Sequence, residues 1–134
     1  MKSVVCTKLG NPELLEIKDT DKPQVSNDHV LVKVEAAGVN YPDALLVQGK
    51  YQVVVEPPFI PGNEVCGYIE EVGENVNLEI GTKVIGLPEI GGFSEYVSIN
   101  KSLIIPITEK VTSYAGASLP VSYTHLRAHE TSYD

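Results

Sequence analysis

Apolar and polar positions alternate with a period of two over short stretches of this chain, and turn-forming residues separate the stretches. Between residues 29 and 36, Val30, Val32 and Val34 alternate with Leu31, Lys33 and Glu35, which predicts a strand with one buried face and one face at least partly wet. Residues 3–7, 14–18, 65–72, 82–87, 93–99 and 103–106 supply further β candidates, and Gly10-Asn11-Pro12 reads as the turn between the first two. So many short strands favour a small barrel or sandwich. Two helical pieces interrupt them, at 41–48 and 111–117. The first carries Pro42 in its opening turn and starts at Asn40, an N-cap residue whose side chain can accept a backbone N–H. The expected product is a mostly β domain with a short helix beside its functional edge.

Residues 55–62 contain Pro57, Pro58 and Pro61, which fix φ and remove backbone donors. The stretch therefore predicts a stiff loop that delivers Asn63 and Glu64 to a defined place. Four acids between Glu70 and Glu79, around Gly73 and Asn75, read as a solvated turn without function. A length of 134 residues fits one ordinary domain, and 43% hydrophobic with 21% charged residues excludes a disordered or fibrous chain. The net charge of −8 disfavours nucleic acid and anionic membrane as partners, since both reward basic patches. No run has a spanning length and the N-terminus lacks the apolar run of a signal peptide, so a cytoplasmic location is expected. Cys6 and Cys66 have neither Cys-x-x-Cys spacing nor a neighbouring histidine, and read as small buried apolar residues on strands.

Residues 36–48 read Ala-Ala-Gly-Val-Asn-Tyr-Pro-Asp-Ala-Leu-Leu-Val-Gln. Together with Pro61-Gly62-Asn63-Glu64 and Gly91-Gly92-Phe93-Ser94-Glu95-Tyr96-Val97, this run resembles the quinone oxidoreductase (zeta-crystallin-like) branch of the medium-chain dehydrogenase/reductase superfamily, in order and spacing over roughly residues 1–120. The resemblance implies that residues 1–120 are an N-terminal GroES-like catalytic domain, a partly closed β-barrel with short helices, and that the Rossmann domain is missing. Zinc-dependent relatives place a cysteine at the position of Asn40 and a histidine at that of Asn63. Both are amides here, poor zinc ligands beside thiolate and imidazole. The cysteine-rich structural loop that those relatives carry after Leu87 is replaced by a direct Pro88-Glu89-Ile90-Gly91-Gly92 connection, so no metal is expected.

Without a Lewis acid, hydride transfer relies on positioning the nicotinamide against an electron-poor acceptor and on hydrogen bonds to the developing oxyanion. The resemblance implies catalytic roles for Asn40, as an amide donor, and Tyr41, as a phenol that can stack or donate. It places Asn40 and Tyr51 against the cofactor, while residue chemistry alone equally allows a helix cap at Asn40 and a rim aromatic at Tyr51. Asp43 is expected to hold the loop by local hydrogen bonds, and Asn63 and Glu64 to be structural. The implied whole protein is an NADPH-dependent quinone or enone oxidoreductase, homodimeric at full length. An enoyl reductase-like member of the same superfamily and a non-catalytic GroES-like binding module are the alternatives. No Gly-x-Gly-x-x-Gly occurs, so the chain alone is expected neither to hold NADP tightly nor to turn over.

Residues 121–131 resemble the translation of a transposase-type sequencing adapter, and 121–134 are expected to be a non-native tail. His125 and His129 have the spacing of two ligands on one helix face, but they fall inside that tail.

Overall fold

The computed structural model describes residues 1–118. The end of the expected 1–120 domain and the 121–134 tail lie outside the described residues. Along the chain run β1 (Lys2–Val5), β2 (Glu16–Asp19), β3 (His29–Ala37), α1 (Tyr41–Val47), β4 (Val65–Val72), β5 (Lys83–Gly86), β6 (Tyr96–Asn100) and β7 (Ile104–Pro106), with residues 113–118 helical at the end. β1 and β2 form a two-stranded antiparallel ribbon, and the other five strands form one antiparallel sheet in the order β6-β3-β4-β5-β7.

The sheet curls because its two edges share one core. Val30, Val32, Val65, Ile69 and Val84 from the central strands cluster with Val97 and Ile99 of β6 and Ile104 of β7. Gly86 on β5 is where the edges meet: a Cβ there would stand 2.5 Å from Ile99 Cδ1 and 3.3 Å from Ile104 Cδ1. The 3₁₀ turn Lys101–Leu103 joins those two edge strands directly. The result is the expected mostly β, partly closed barrel. Burial of these branched side chains stabilises it by roughly 1.5–3 kcal/mol each.

Strand β4 spans 65–72 as its pattern predicts, and β3 runs one residue beyond its expected end. Three expectations are corrected. Leu31 is fully buried although it lies on the face read as partly wet. Lys22 reaches back over that side of the sheet, pairing with Glu70 at 2.9 Å and lying 4.3 Å above the Tyr96 ring, so the face is crossed by chain. The 14–18 strand begins at Glu16, because Leu14 closes a 3₁₀ turn started by Pro12. The 93–99 strand begins at Tyr96, because the residues ahead of it are divided among other partners: Phe93 N–H donates to the Pro61 carbonyl at 3.0 Å, and the Phe93 and Glu95 carbonyls accept from Val4 and Val34, both at 2.8 Å.

Both cysteines are free and buried, Cys66 within β4 and Cys6 in a bridge with Phe59, and burial pushes both thiols up. A second apolar cluster, Cys6, Leu46, Val47 and Phe59, fastens α1 to the ribbon side of the barrel. Beyond β7, Lys83 Nζ donates to the Val111 carbonyl at 2.6 Å and Ser113 Oγ to Glu35 at 2.7 Å, which pins the last described segment across β3 and β5. No helix among the described residues is long and apolar enough to cross a membrane.

Candidate functional site

The proline-rich loop is held from two directions. On one side Cys6 and Phe59 exchange backbone hydrogen bonds at 2.8 and 3.2 Å; on the other, Gly91 donates to Ile60 at 2.7 Å and Gly92 to Gly62 at 3.0 Å. Gly62 sits at φ +110, and a Cβ there would meet the Phe93 nitrogen at 2.7 Å, so only glycine allows the two loops to pack this closely. The loop then feeds Asn63 and Glu64 into the start of β4.

Helix α1 starts opposite that loop. Asn40 is its N-cap and the helix start forms a capping box with Asp43: the Asn40 N–H donates to Asp43 Oδ2 at 2.8 Å and the Asp43 N–H to the Asn40 carbonyl at 3.0 Å. The Asn40 side chain turns to the loop, where Nδ2 donates to Asn63 Oδ1 at 3.1 Å and to Glu64 Oε1 at 2.9 Å. Two acceptors thus face the two N–H groups of this amide, while its side chain also faces the Asp43 N–H of the capping box. Glu64 is only 2% exposed, and it fits because Gly38 has no side chain: a Cβ at 38 would overlap Oε1 and stand 2.7 Å from Cγ and Cδ. Sequence reading missed Gly38, whose one signal is a glycine directly after β3.

Asp43 is buried, and desolvation raises its pKa above 3.8, opposed by hydrogen bonds from the Asn40 and Gly62 backbones. The folded carboxyl therefore keeps its proton to a higher pH than the unfolded one. Its contribution to stability is complete below 3.8, falls as pH rises through the folded pKa, and is level above it. Subtracting the unfolding free energy of Asp43→Asn from that of the wild type, by urea denaturation across this range, should give a difference that declines as pH rises and then flattens. A difference that climbs with pH would contradict the burial effect.

A cleft of about 400 Å³ opens beside this cluster, lined by Asp43 and Leu46 of α1, by Tyr51, Val53 and Asn63, and by Ile90 of the opposite loop. Tyr51 is 37% exposed on its wall. Tyr41 is 76% exposed on the first turn of α1 and does not line the cleft. Asn40 is set behind Asn63 and touches it. Asn63 and Glu64 thus join Asn40 in one cluster, while Gln52, Glu89 and Ile90, which line the same cleft, carried no signal in sequence. Among the described residues no group of three His, Cys, Asp or Glu side chains could hold a metal ion.

Residues 26–109 match the alcohol dehydrogenase GroES-like domain. The chain is 37% identical to quinone oxidoreductase-like protein 2 of Bos taurus over 123 residues, which is 91% of the chain and 35% of that protein. It is 32% identical to the quinone oxidoreductase of Homo sapiens over 126 residues, covering 92% of the chain and 38% of the relative. The quinone oxidoreductase of Thermus thermophilus, solved alone and with NADPH, superposes with a TM-score of 0.78 at 34% identity, covering 92% of this chain and 37% of that one. The chain thus spans little more than a third of the length of these relatives.

Proposed function

The chain belongs to the alcohol dehydrogenase GroES-like domain family, and from that premise we propose that it is the acceptor-binding part of a zinc-independent, NADPH-dependent oxidoreductase that reduces quinones or enones. The observation that carries this reading is the pair of amides, Asn40 and Asn63, bonded to each other at 3.1 Å beside a cleft. Amides in place of thiolate and imidazole give zinc no good ligand there. Similarity to quinone oxidoreductases, one of them solved with NADPH, supports the acceptor and the cofactor.

The residues present fit one end of the dinucleotide only. Among the described residues every strand pair is antiparallel, and the chain has no Gly-x-Gly-x-x-Gly, so no strand–turn–helix cradle is offered to a pyrophosphate. Asn40, beside Asn63, and Tyr51, on the cleft wall, would border the nicotinamide end. NADPH supplies the hydride when bound. This chain's part is to orient and to exclude water: the cleft holds a planar acceptor against Leu46, Val53 and Ile90. Asn40 and Tyr41 are the residues proposed to serve the acceptor side. The division of labour proposed is a catalytic domain within residues 1–120, inactive by itself, in a whole protein that is a cytoplasmic homodimer.

Acceptor profiling of the full-length protein tests the reading. NADPH consumption should be stimulated by quinones and simple enones far more than by enoyl thioesters. Preference for enoyl thioesters would move the assignment to an enoyl reductase, and oxidation of NADPH by no acceptor of either class would remove the enzymatic reading.

A further inference from the structure

The orientation of Asn63 follows from its neighbours. Glu64 Oε1 accepts from the Asn40 amide at 2.9 Å, so the Asn40 atom facing it is Nδ2. The Asn63 atom 3.1 Å from that same nitrogen is therefore its acceptor, Oδ1. Nδ2 of Asn63 is turned away from the Asn40–Glu64 pair and makes no hydrogen bond to another described residue. Asn63 is half-buried and lines the cleft shared with Tyr51 and Ile90.

The other polar side chains on the cleft are less suited to hold a carbonyl oxygen. Asp43 and Glu89 offer acceptor oxygens when ionised, and Gln52 is exposed. Tyr51 can donate, but among the described residues no hydrogen bond fixes its phenol. The geometry points to Asn63 as the hydrogen-bond donor that holds the carbonyl oxygen of the acceptor in the cleft, with Asn40 and Glu64 as the positioning residues that aim it. This assignment rests on the reading of the cleft as an acceptor site. Hydride arriving at a quinone or enone moves charge onto that oxygen, so a donor already oriented strengthens its bond without reorganisation.

Amide exchange and ligand shifts in the ¹⁵N-labelled 134-residue chain test the orientation directly. The side-chain NH₂ of Asn40 should exchange slowly and that of Asn63 quickly. Duroquinone, whose four ring positions between the carbonyls are all methylated and resist thiol addition, should shift the Asn63 NH₂ signal, whereas durene, of similar shape without carbonyls, should not. In the full-length protein, Asn63→Leu, which keeps the shape and removes the donor together with the Oδ1 that Asn40 bonds, should raise KM for duroquinone about tenfold, the loss of one hydrogen bond to the acceptor worth roughly 1.4 kcal/mol, with KM for NADPH unchanged. Glu64→Gln, which frees Asn40 to flip, should move the same KM in the same direction. Equal exchange at the two asparagines, or an Asn63 signal indifferent to duroquinone, overturns the assignment. So does an unchanged duroquinone KM in a folded Asn63→Leu enzyme, although quinone reduction then stands. A full-length protein that reduces no quinone removes both the acceptor reading and the donor placed on it.

Discussion

Gly67→Ala is expected to destabilise the domain by about 3 kcal/mol, the upper part of the range for forcing atoms into a packed site. Gly67 pairs with Val34 in the central β3–β4 ladder, just ahead of the register shift between Val34 and Ala36. A Cβ there would collide with the Lys33 carbonyl oxygen and stand 2.9 Å from its carbon and 3.1 Å from Val32 Cγ1. The obstacle is backbone, so no rotamer change relieves it. The two strands would have to part where Cys66 and Ile69 are sealed. Urea denaturation against Gly81→Ala separates this from a loss of glycine freedom. Gly81 has φ +92 with nothing within 4 Å of a built Cβ, so its cost should be backbone strain alone, about 1 kcal/mol. Equal costs at both positions would contradict the steric account.

Gly38→Ala is expected to lower kcat/KM of the full-length enzyme roughly 100-fold, the scale associated with a misplacement of about 1 Å near reacting groups. The new methyl would occupy the space of the Glu64 carboxylate, which is 2% exposed and has little room to move. Displacing it takes an acceptor from Asn40 Nδ2 and with it the restraint on Asn63. The fold should survive, because Glu64 is the end of a side chain rather than backbone, at a cost of about 1–3 kcal/mol. Steady-state kinetics beside a thermal melt separates the two effects. A folded Gly38→Ala enzyme of normal kcat/KM would show that the aim of Asn40 and Asn63 does not depend on Glu64.

Local pattern gave away the central strands because valine and isoleucine at alternate positions decide burial there without help from distant chain. β3 was legible for that reason, β4 as a short strand-like run between turn residues, and the helix start at Asn40 from the cap residue and Pro42 in the first turn. What stayed hidden depends on partners far along the chain. Leu31 is buried on a face that Lys22 crosses, and Phe93 is claimed by Pro61 and Val4 rather than by a continuous strand. In the candidate site, Asn40, Asn63 and Glu64 were singled out in sequence as an amide pair and a neighbouring acid. Their hydrogen bonds span 23 and 24 residues, and no spacing rule reports which N–H faces which oxygen. Gly38 was invisible because its role is the volume it leaves to Glu64.

Reduction of the acceptor without metal is tested most directly by measuring duroquinone-dependent NADPH oxidation by the full-length protein before and after exhaustive treatment with 1,10-phenanthroline and EDTA. An unchanged rate is predicted, since Asn40 and Asn63 offer zinc neither thiolate nor imidazole. A rate abolished by chelation and restored by added Zn²⁺ would contradict it.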